Sequence, residues 1–386
     1  MSWSAWAATQ AREIRDAGRW RAPRDLDAFG VEGRLAGGAE GTLPDDKSRP
    51  VVSFASNDYL GLTAHSAVIA AAHDALDRWG SGSGSARLIV GSRPIHHQLE
   101  HEIADWKQAA RSALFPTGFA ANLGVLTTFG TSGAIVYSDE LNHASIIDGC
   151  RLARADTSVY RHRDLEHLRT LLRNRSGRRA LVVSDTVFSM DGDVADVPAL
   201  LEVCAQEHAL LVLDEAHAVL GPEVPVPPDA DVLRVGTCSK FLGSLGGFVA
   251  GPNRYIDLVE NSSRPYIFTT APTPADTAAT LAALRVVRSP EGDALVARLR
   301  ANVDRVRTGH PSPIVPFVCG AEDRAVAAAA RLLEHGLIVP AIRPPTVAPK
   351  TSRLRVTLSA AHRDEHVDRL LAALAEVFGE RPAPRA

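Results

Sequence analysis

Lysine is scarce in this chain. Of 42 basic side chains only four are lysines: Lys47, Lys107, Lys240 and Lys350. Cysteine is equally sparse. Cys150, Cys204, Cys238 and Cys319 lie far apart and form no CxxC pair, which excludes a disulfide framework and a cysteine zinc site and leaves scattered thiols of a reducing cytoplasm. No run approaches the roughly 18 apolar residues of a membrane span. The opening residues 1–24 alternate Trp, Ala, Arg and Glu without the apolar core of a secretory signal. The formal net charge is -3, so there is no basic footprint for nucleic acid or for a membrane surface.

What remains is an ordinary soluble composition, 45% hydrophobic and 23% charged, over 386 residues. That length predicts one large domain and a smaller one. From residue 95 to about 260, amphipathic helical segments alternate with short apolar runs at 113–115, 134–137, 157–160, 180–183, 210–213 and 232–235. This pattern predicts an α/β fold with a mostly parallel sheet covered on both faces. Three Ala-rich helices follow, then a small α+β unit of strands near 314–318, 337–342 and 353–358 with helices at 322–335 and 364–378. The expected division is an N-terminal helix and arm (1–55), a large domain (56–262) and linking helices with a small C-terminal domain (263–386). Residues 21–50 read as a Gly-rich polar stretch, 80–87 as a tight loop, and 381–384 as a loose tail.

In such sheets ligands bind beyond the carboxyl ends of the strands, so the polar residues after each apolar run carry the chemistry. They are Gly118-Phe119 opening a helix, Asn142-His143, Ser189, Asp214-Glu215-Ala216-His217, and Thr237-Cys238-Ser239-Lys240. Lys47 sits in a polar turn, Lys107 on a helical face and Lys350 beside a proline. Lys240, between small hydroxyl residues at a strand end, is the lysine whose surroundings suit an amine of lowered pKa. Taken singly, Asp214 is also a helix N-cap, His143 a structural histidine and Ser189 a turn residue. Together they suit pyridoxal phosphate: a lysine for the aldehyde, a carboxylate for the pyridine nitrogen, and helix amides with hydroxyls for the phosphate. His97-Gln98-Leu99-Glu100-His101 matches an inverted zinc-peptidase pattern, but a third ligand is missing and no metal is expected.

The segments Ser56-Asn57-Asp58-Tyr59-Leu60-Gly61-Leu62, Gly118-Phe119-Ala120-Ala121-Asn122, His143-Ala144-Ser145, Phe188-Ser189-Met190-Asp191-Gly192, Asp214-Glu215-Ala216-His217, Ser239-Lys240 with Gly246-Gly247, Ile342 to Val347 and Ser352-Arg353-Leu354-Arg355 resemble the α-oxoamine synthases. These are pyridoxal-phosphate enzymes of the aspartate-aminotransferase fold (fold type I). The match extends over nearly the whole chain. Within the family it falls on the branch that forms 8-amino-7-oxononanoate for biotin. The resemblance implies an acyltransferase that condenses L-alanine with pimeloyl-CoA or a pimeloyl-acyl carrier protein, with loss of carbon dioxide. Glycine C-acetyltransferase, 5-aminolevulinate synthase and serine palmitoyltransferase share the chemistry, and a non-catalytic partner subunit is the alternative of another class.

The resemblance also implies roles. Lys240 forms the Schiff base and moves the substrate proton, Asp214 pairs with the pyridine nitrogen, and His143 stacks on the ring. His217 and Ser189 lie near the ring oxygen, and Gly118, Phe119, Thr237 and Ser239 belong to the cofactor cradle. Asn57 and Arg355 take the amino-acid carboxylate; Arg21, Arg343 and Thr346 face substrate. Thr269 and Thr270 reach the cofactor phosphate of the other subunit in a cytoplasmic homodimer. Two departures stand out: a shortened loop after His217, and Phe241 where the family has a small residue.

Overall fold

The computed structural model describes residues 1–36, 48–222, 224–227 and 230–379; Lys47 and the tail at 381–384 lie outside them. Its strands are β1 (Leu26–Phe29), β2 (Glu32–Leu35), β3 (Arg49–Ser53), β4 (Arg111–Phe115), β5 (Ala134–Asp139), β6 (Asp156–Tyr160), β7 (Arg179–Asp185), β8 (Leu210–Asp214), β9 (Val232–Thr237), β10 (Gly247–Gly251), β11 (Ile314–Gly320), β12 (Leu337–Ile338), β13 (Ala341–Ile342) and β14 (Ser352–Thr357). The central sheet has seven strands in the order β4-β10-β9-β8-β7-β5-β6. Only β10 runs antiparallel, against both β4 and β9, and the other pairs are parallel. The expected mostly parallel sheet is therefore present.

The strands alternate between two cores, as buried strands must when side chains point to opposite faces. On β5, Val136 joins one cluster with Phe115, Leu126 and Ile146. Its neighbours Ile135 and Tyr137 join the other with Leu168, Leu172 and Val203. Helices α1 (Trp3–Asp16), α2 (Ser66–Trp79), α3 (Pro94–Trp106), α4 (Gly118–Phe129), α5 (Ala144–Leu152), α6 (Leu165–Arg173) and α7 (Val197–Gln206) lie where the periodicity puts them, to within a few residues. Side-chain caps set several starts: Thr117 accepts from the Ala120 amide, Asp164 from His167 and Asp196 from Ala199.

Two features escape the hydrophobic pattern. Residues 21–50 are not simply a polar stretch: β1 and β2 lie within them, β1 pairing antiparallel with β2 and β2 with β3. Apart from the buried Leu35 these strands are exposed or half-buried, so they carry no apolar alternation to read. β3 in turn pairs in parallel with β12, so β1, β2 and β3 share one sheet with β12. The second feature is β10, whose Gly-rich sequence gives a weak strand signal although all five residues are buried. Gly236 on β9 must lack a side chain because a Cβ there would run into the Phe248 ring.

The ends of β5 and β6 are tied to the loop after β7 by one imidazole. His162 Nδ1 lies 2.9 Å from Asp139 and Nε2 2.8 Å from Asp193, with Arg163 also on Asp193 at 3.2 Å and the His162 amide donating to Glu140. Burial opposes its charge, but the two carboxylates outweigh it and push the imidazole up to about 9 from an ordinary 6.5. A raised value stabilises the fold fully below about pH 6.5 and loses that contribution as pH rises through about 9. Discounted for solvent screening of a half-buried ring, the shift corresponds to on the order of 1 kcal/mol. Urea unfolding of His162→Gln should therefore show a loss of that size at pH 6 and little difference from the parent at pH 10; equal losses at both would exclude a charged clamp.

Candidate active site

The carboxyl ends of β4, β5, β7, β8 and β9 meet in one crevice. β8 ends on Asp214, which is buried and stands in register with Asp185 at the end of β7. The Asp214 carboxylate accepts from Asn122 Nδ2 at 2.6 Å and from the Ala216 amide at 2.9 Å. The amide contact closes a turn and not a helix, since no helix follows β8 at 215–222, so the N-cap alternative is not met. Asn122 donates in addition to Ser145 Oγ at 2.9 Å, and that hydroxyl lies 2.8 Å from His143 Nδ1. The Ser145 amide also donates to His143 Nδ1 at 3.2 Å. Nδ1 is thus an acceptor, and the proton of the neutral ring sits on Nε2. Burial lowers the His143 pKa further, against the pull of Asp214. The imidazole is a neutral flat face fixed at its rear edge.

Lys240 follows β9, and its Nζ lies 2.8 Å from His217 Nε2. Burial lowers its pKa to about 8, against the charges of Asp214 and Asp185. His217 is held well below its ordinary value by burial and then by the Lys240 and Arg355 charges. The expectation that only Lys240 has desolvating surroundings needs correcting. Lys107 is also largely buried, 2.7 Å from Glu215 and 3.7 Å from the Trp106 ring centroid. Its Nζ is engaged by Glu215 rather than by the Lys240 group.

The anion end is built from α4. Thr117 takes the Ala120 amide with its hydroxyl and the Ala121 amide with its carbonyl. The amides of Gly118 and Phe119 open the helix as free-end donors. Beside them Thr237 Oγ1 and Ser239 Oγ are 2.6 Å apart. A Cβ on Gly118 would stand 3.1 Å from Thr237 Cβ, and one on Gly247 would overlap the Thr117 carbonyl and the Gly118 nitrogen. Glycine at 247 is therefore what lets β10 pass behind this cradle. A reactive amine, a carboxylate and a helix end with hydroxyls in one crevice fit pyridoxal phosphate.

The small C-terminal unit closes the other side. Arg355 on β14 is buried and donates to the Ser189 carbonyl at 2.6 Å and to Asn57 Oδ1 at 3.2 Å. Its neighbour Arg353 pairs with Asp191. Arg21, Arg343 and Thr346 gather elsewhere: Arg21 donates to the Pro344 carbonyl, Arg343 to Gly18, and the Thr346 amide to Arg343. Thr269 is half-buried and Thr270 exposed, the latter bridged to Ala86. Among the described residues, no hydrogen bond joins either threonine, Arg21, Arg343 or Thr346 to the Lys240 group within one chain. Phe241 has a structural reason: it is buried edge-on against Trp106. The His97-to-His101 pattern is a salt-bridged face, with Glu100 held at both oxygens by Arg87 at 2.8 and 2.9 Å.

Residues 49–374 match the family Aminotransferase class I and II. The chain is 47% identical over 376 residues to the 8-amino-7-oxononanoate synthase of Anaeromyxobacter dehalogenans strain 2CP-1, covering 92% of this chain and 94% of that one. It is 43% identical to the synthase of Methylococcus capsulatus, over 94% and 95% of the two chains. The chain belongs to the 8-amino-7-oxononanoate synthases, within the class I and II aminotransferases. It is a pyridoxal-phosphate-dependent acyltransferase of fold type I. Solved serine palmitoyltransferases superpose closely: that of Sphingomonas wittichii has a TM-score of 0.86 at 29% identity over 96% of both chains. One from S. paucimobilis, with a bound PLP-myriocin aldimine, has 0.86 at 26% over 96% of each.

Two further residues belong to the crevice: Asn122, inside a quoted segment, and Asp185, at the end of β7. Asn122 joins Asp214 to His143. Asp185 receives the His143 amide at 3.1 Å and is raised well above the ordinary carboxylate range by burial and then by Asp214. The testable consequence is kinetic. In the protein freed of cofactor, reaction of Lys240 with a simple aldehyde should accelerate as pH rises through about 8, whereas an ordinary lysine responds near 10.4. A midpoint near the ordinary value would contradict the desolvated amine.

Proposed function

We propose that the chain condenses L-alanine with a pimeloyl thioester, carried by coenzyme A or by an acyl carrier protein, to give 8-amino-7-oxononanoate, carbon dioxide and free thiol in biotin biosynthesis. The observation that carries this reading is the crevice in which Lys240, Asp214 and His143 stand within electrostatic reach of one another, in a chain 47% identical to a named synthase. When bound, pyridoxal phosphate supplies an electron sink that stabilises negative charge at the amino-acid Cα.

In this reading Lys240 holds the cofactor aldehyde, then takes the Cα proton of alanine and returns one at the same carbon after decarboxylation. Its lowered pKa suits both tasks near neutral pH. Asp214, kept in place by Asn122 and Ala216, holds the pyridine nitrogen protonated. His143 covers the ring with a neutral face, and His217 and Ser189 serve the ring oxygen. Gly118, Phe119, Thr237 and Ser239 hold the phosphate. Arg355 and Asn57 bind the alanine carboxylate through charge-assisted hydrogen bonds. Arg21, Arg343 and Thr346 take the acyl donor at the mouth.

Thr269 and Thr270 act in the site of a second copy of the chain. An apolar patch beside them supports this: Leu88, Ile89, Val90 and Phe268 are 53, 73, 69 and 69% exposed, and contiguous exposed apolar surface marks an interface. No helix among the described residues is long and apolar enough to cross a membrane, and we place the enzyme in the cytoplasm.

Replacement of Lys240 by Ala should lower turnover by about a thousandfold or more and remove the visible absorbance of the bound cofactor; an unchanged spectrum would end the assignment of this lysine. The structural likeness to serine palmitoyltransferases makes a second substrate reading worth testing. Alanine, glycine and serine assayed against pimeloyl, acetyl, succinyl and palmitoyl thioesters should favour alanine with pimeloyl. Glycine should be slower by roughly 10- to 200-fold, the discrimination available from one methyl group. Preference for serine with palmitoyl would replace the proposal.

A further inference from the structure

Tyr59 has no place in the roles given above, yet its hydroxyl stands behind the reactive lysine. The side chain is fully buried. Its oxygen lies 2.6 Å from His217 Nδ1, 3.0 Å from Asn57 Oδ1 and 3.5 Å from Arg355 Nη2. His217 Nε2 is 2.8 Å from Lys240 Nζ. A continuous chain of hydrogen bonds therefore runs from Asn57 through Tyr59 and His217 to Lys240.

Each link needs one proton between two heavy atoms, and a neutral imidazole carries only one. With Lys240 as an ammonium, Nζ donates to Nε2. The imidazole proton then lies on Nδ1 and is given to the tyrosine oxygen, whose own hydrogen turns to Asn57 Oδ1. With Lys240 as a neutral amine, Nε2–H donates to Nζ, Nδ1 is bare, and the tyrosine hydrogen turns back to Nδ1. Every group is satisfied in both states, which requires a partner of His217 able both to donate and to accept. A hydroxyl is such a group, and burial, which pushes the Tyr59 phenol up to about 12, keeps it a hydroxyl across the working range.

We propose that Tyr59 is a positioning residue that sets the tautomer of His217 and, through it, the proton state of Lys240. The inference rests on the reading of Lys240 as the reactive amine. The other charged or titratable groups facing this chain are Asp214, Asp185, Arg355 and His143, and none of them contacts the buried Nδ1 edge that Tyr59 occupies.

The experiment uses the full chain freed of cofactor. With four lysines in the sequence, reductive methylation with ¹³C-formaldehyde gives a sparse spectrum in which Lys240 is assigned by its loss in Lys240→Ala. Tyr59→Phe keeps the ring and removes the hydroxyl. A buried Nδ1–H would then have no acceptor, so the imidazole proton moves to Nε2 and the ammonium loses its acceptor. The Lys240 midpoint should fall by roughly one pH unit, with those of Lys107 and Lys350 unmoved. An unchanged Lys240 midpoint in a folded Tyr59→Phe protein overturns the proposal. An independent measurement needs no Tyr59 variant. The ¹⁵N shifts of His217 in the parent protein should place the proton on Nδ1 below the Lys240 midpoint and on Nε2 above it, whereas a single tautomer throughout also overturns it. Neither readout involves substrate, so failure of the alanine and pimeloyl assignment would leave this result standing, and the reverse.

Discussion

Two carboxylates, Asp185 and Asp214, stand side by side at the ends of adjacent strands, both nearly out of contact with water. Like charges so placed raise each other's cost of ionisation, and burial adds to it. The rest of the crevice answers that constraint. Asn122 and the Ala216 amide stabilise charge on Asp214, Lys240 supplies the compensating cation, and Asp185 drifts toward its protonated form. The imidazoles around them stay neutral because a third or fourth charge in the same volume would be unaffordable. The amine is weakly basic and the rings neutral for the same electrostatic reason.

The site is held from outside by a second layer of ion pairs. Glu215, next in sequence to Asp214, is buried between Lys107 and Arg234 at 2.7 and 3.3 Å. This fixes the start of the turn that carries His217. Arg353 and Arg355 extend from the small unit to Asp191 and to the Ser189 carbonyl, so the loop after β7 is gripped by β14. His162 holds the same loop from the opposite side through Asp193. Because Arg355 touches Asn57 as well as Ser189, the small unit is coupled to both sides of the crevice by direct contact.

Fold and substrate separate cleanly here. A backbone that superposes on serine palmitoyltransferases with a TM-score of 0.86 belongs to a chain far more similar in sequence to 8-amino-7-oxononanoate synthases. The cofactor chemistry is common to both, so the shared scaffold cannot choose between alanine and serine or between acyl chains. In the proposed reading that choice falls to Arg21, Arg343, Thr346, Thr269 and Thr270, none of which is hydrogen-bonded to the Lys240 cluster among the described residues.

The sequence by itself determined the alternation of helix and strand, the positions of six parallel strands and the residues at their ends. Those follow from local hydrophobic period and from the rule that ligands gather at carboxyl ends of strands. It could not yield β1, β2 or β10, whose residues are too exposed or too rich in glycine to carry a period and which exist because a neighbouring strand offers hydrogen bonds. Nor could it reveal that Lys107 is buried, since its partner Glu215 is more than a hundred residues away along the chain. Only the tertiary structure decided the chains of contact from Asp214 through Asn122 and Ser145 to His143, and from Lys240 through His217 to Tyr59. Tautomers and shifted pKa values arise from three-dimensional neighbours and burial, which no linear pattern records.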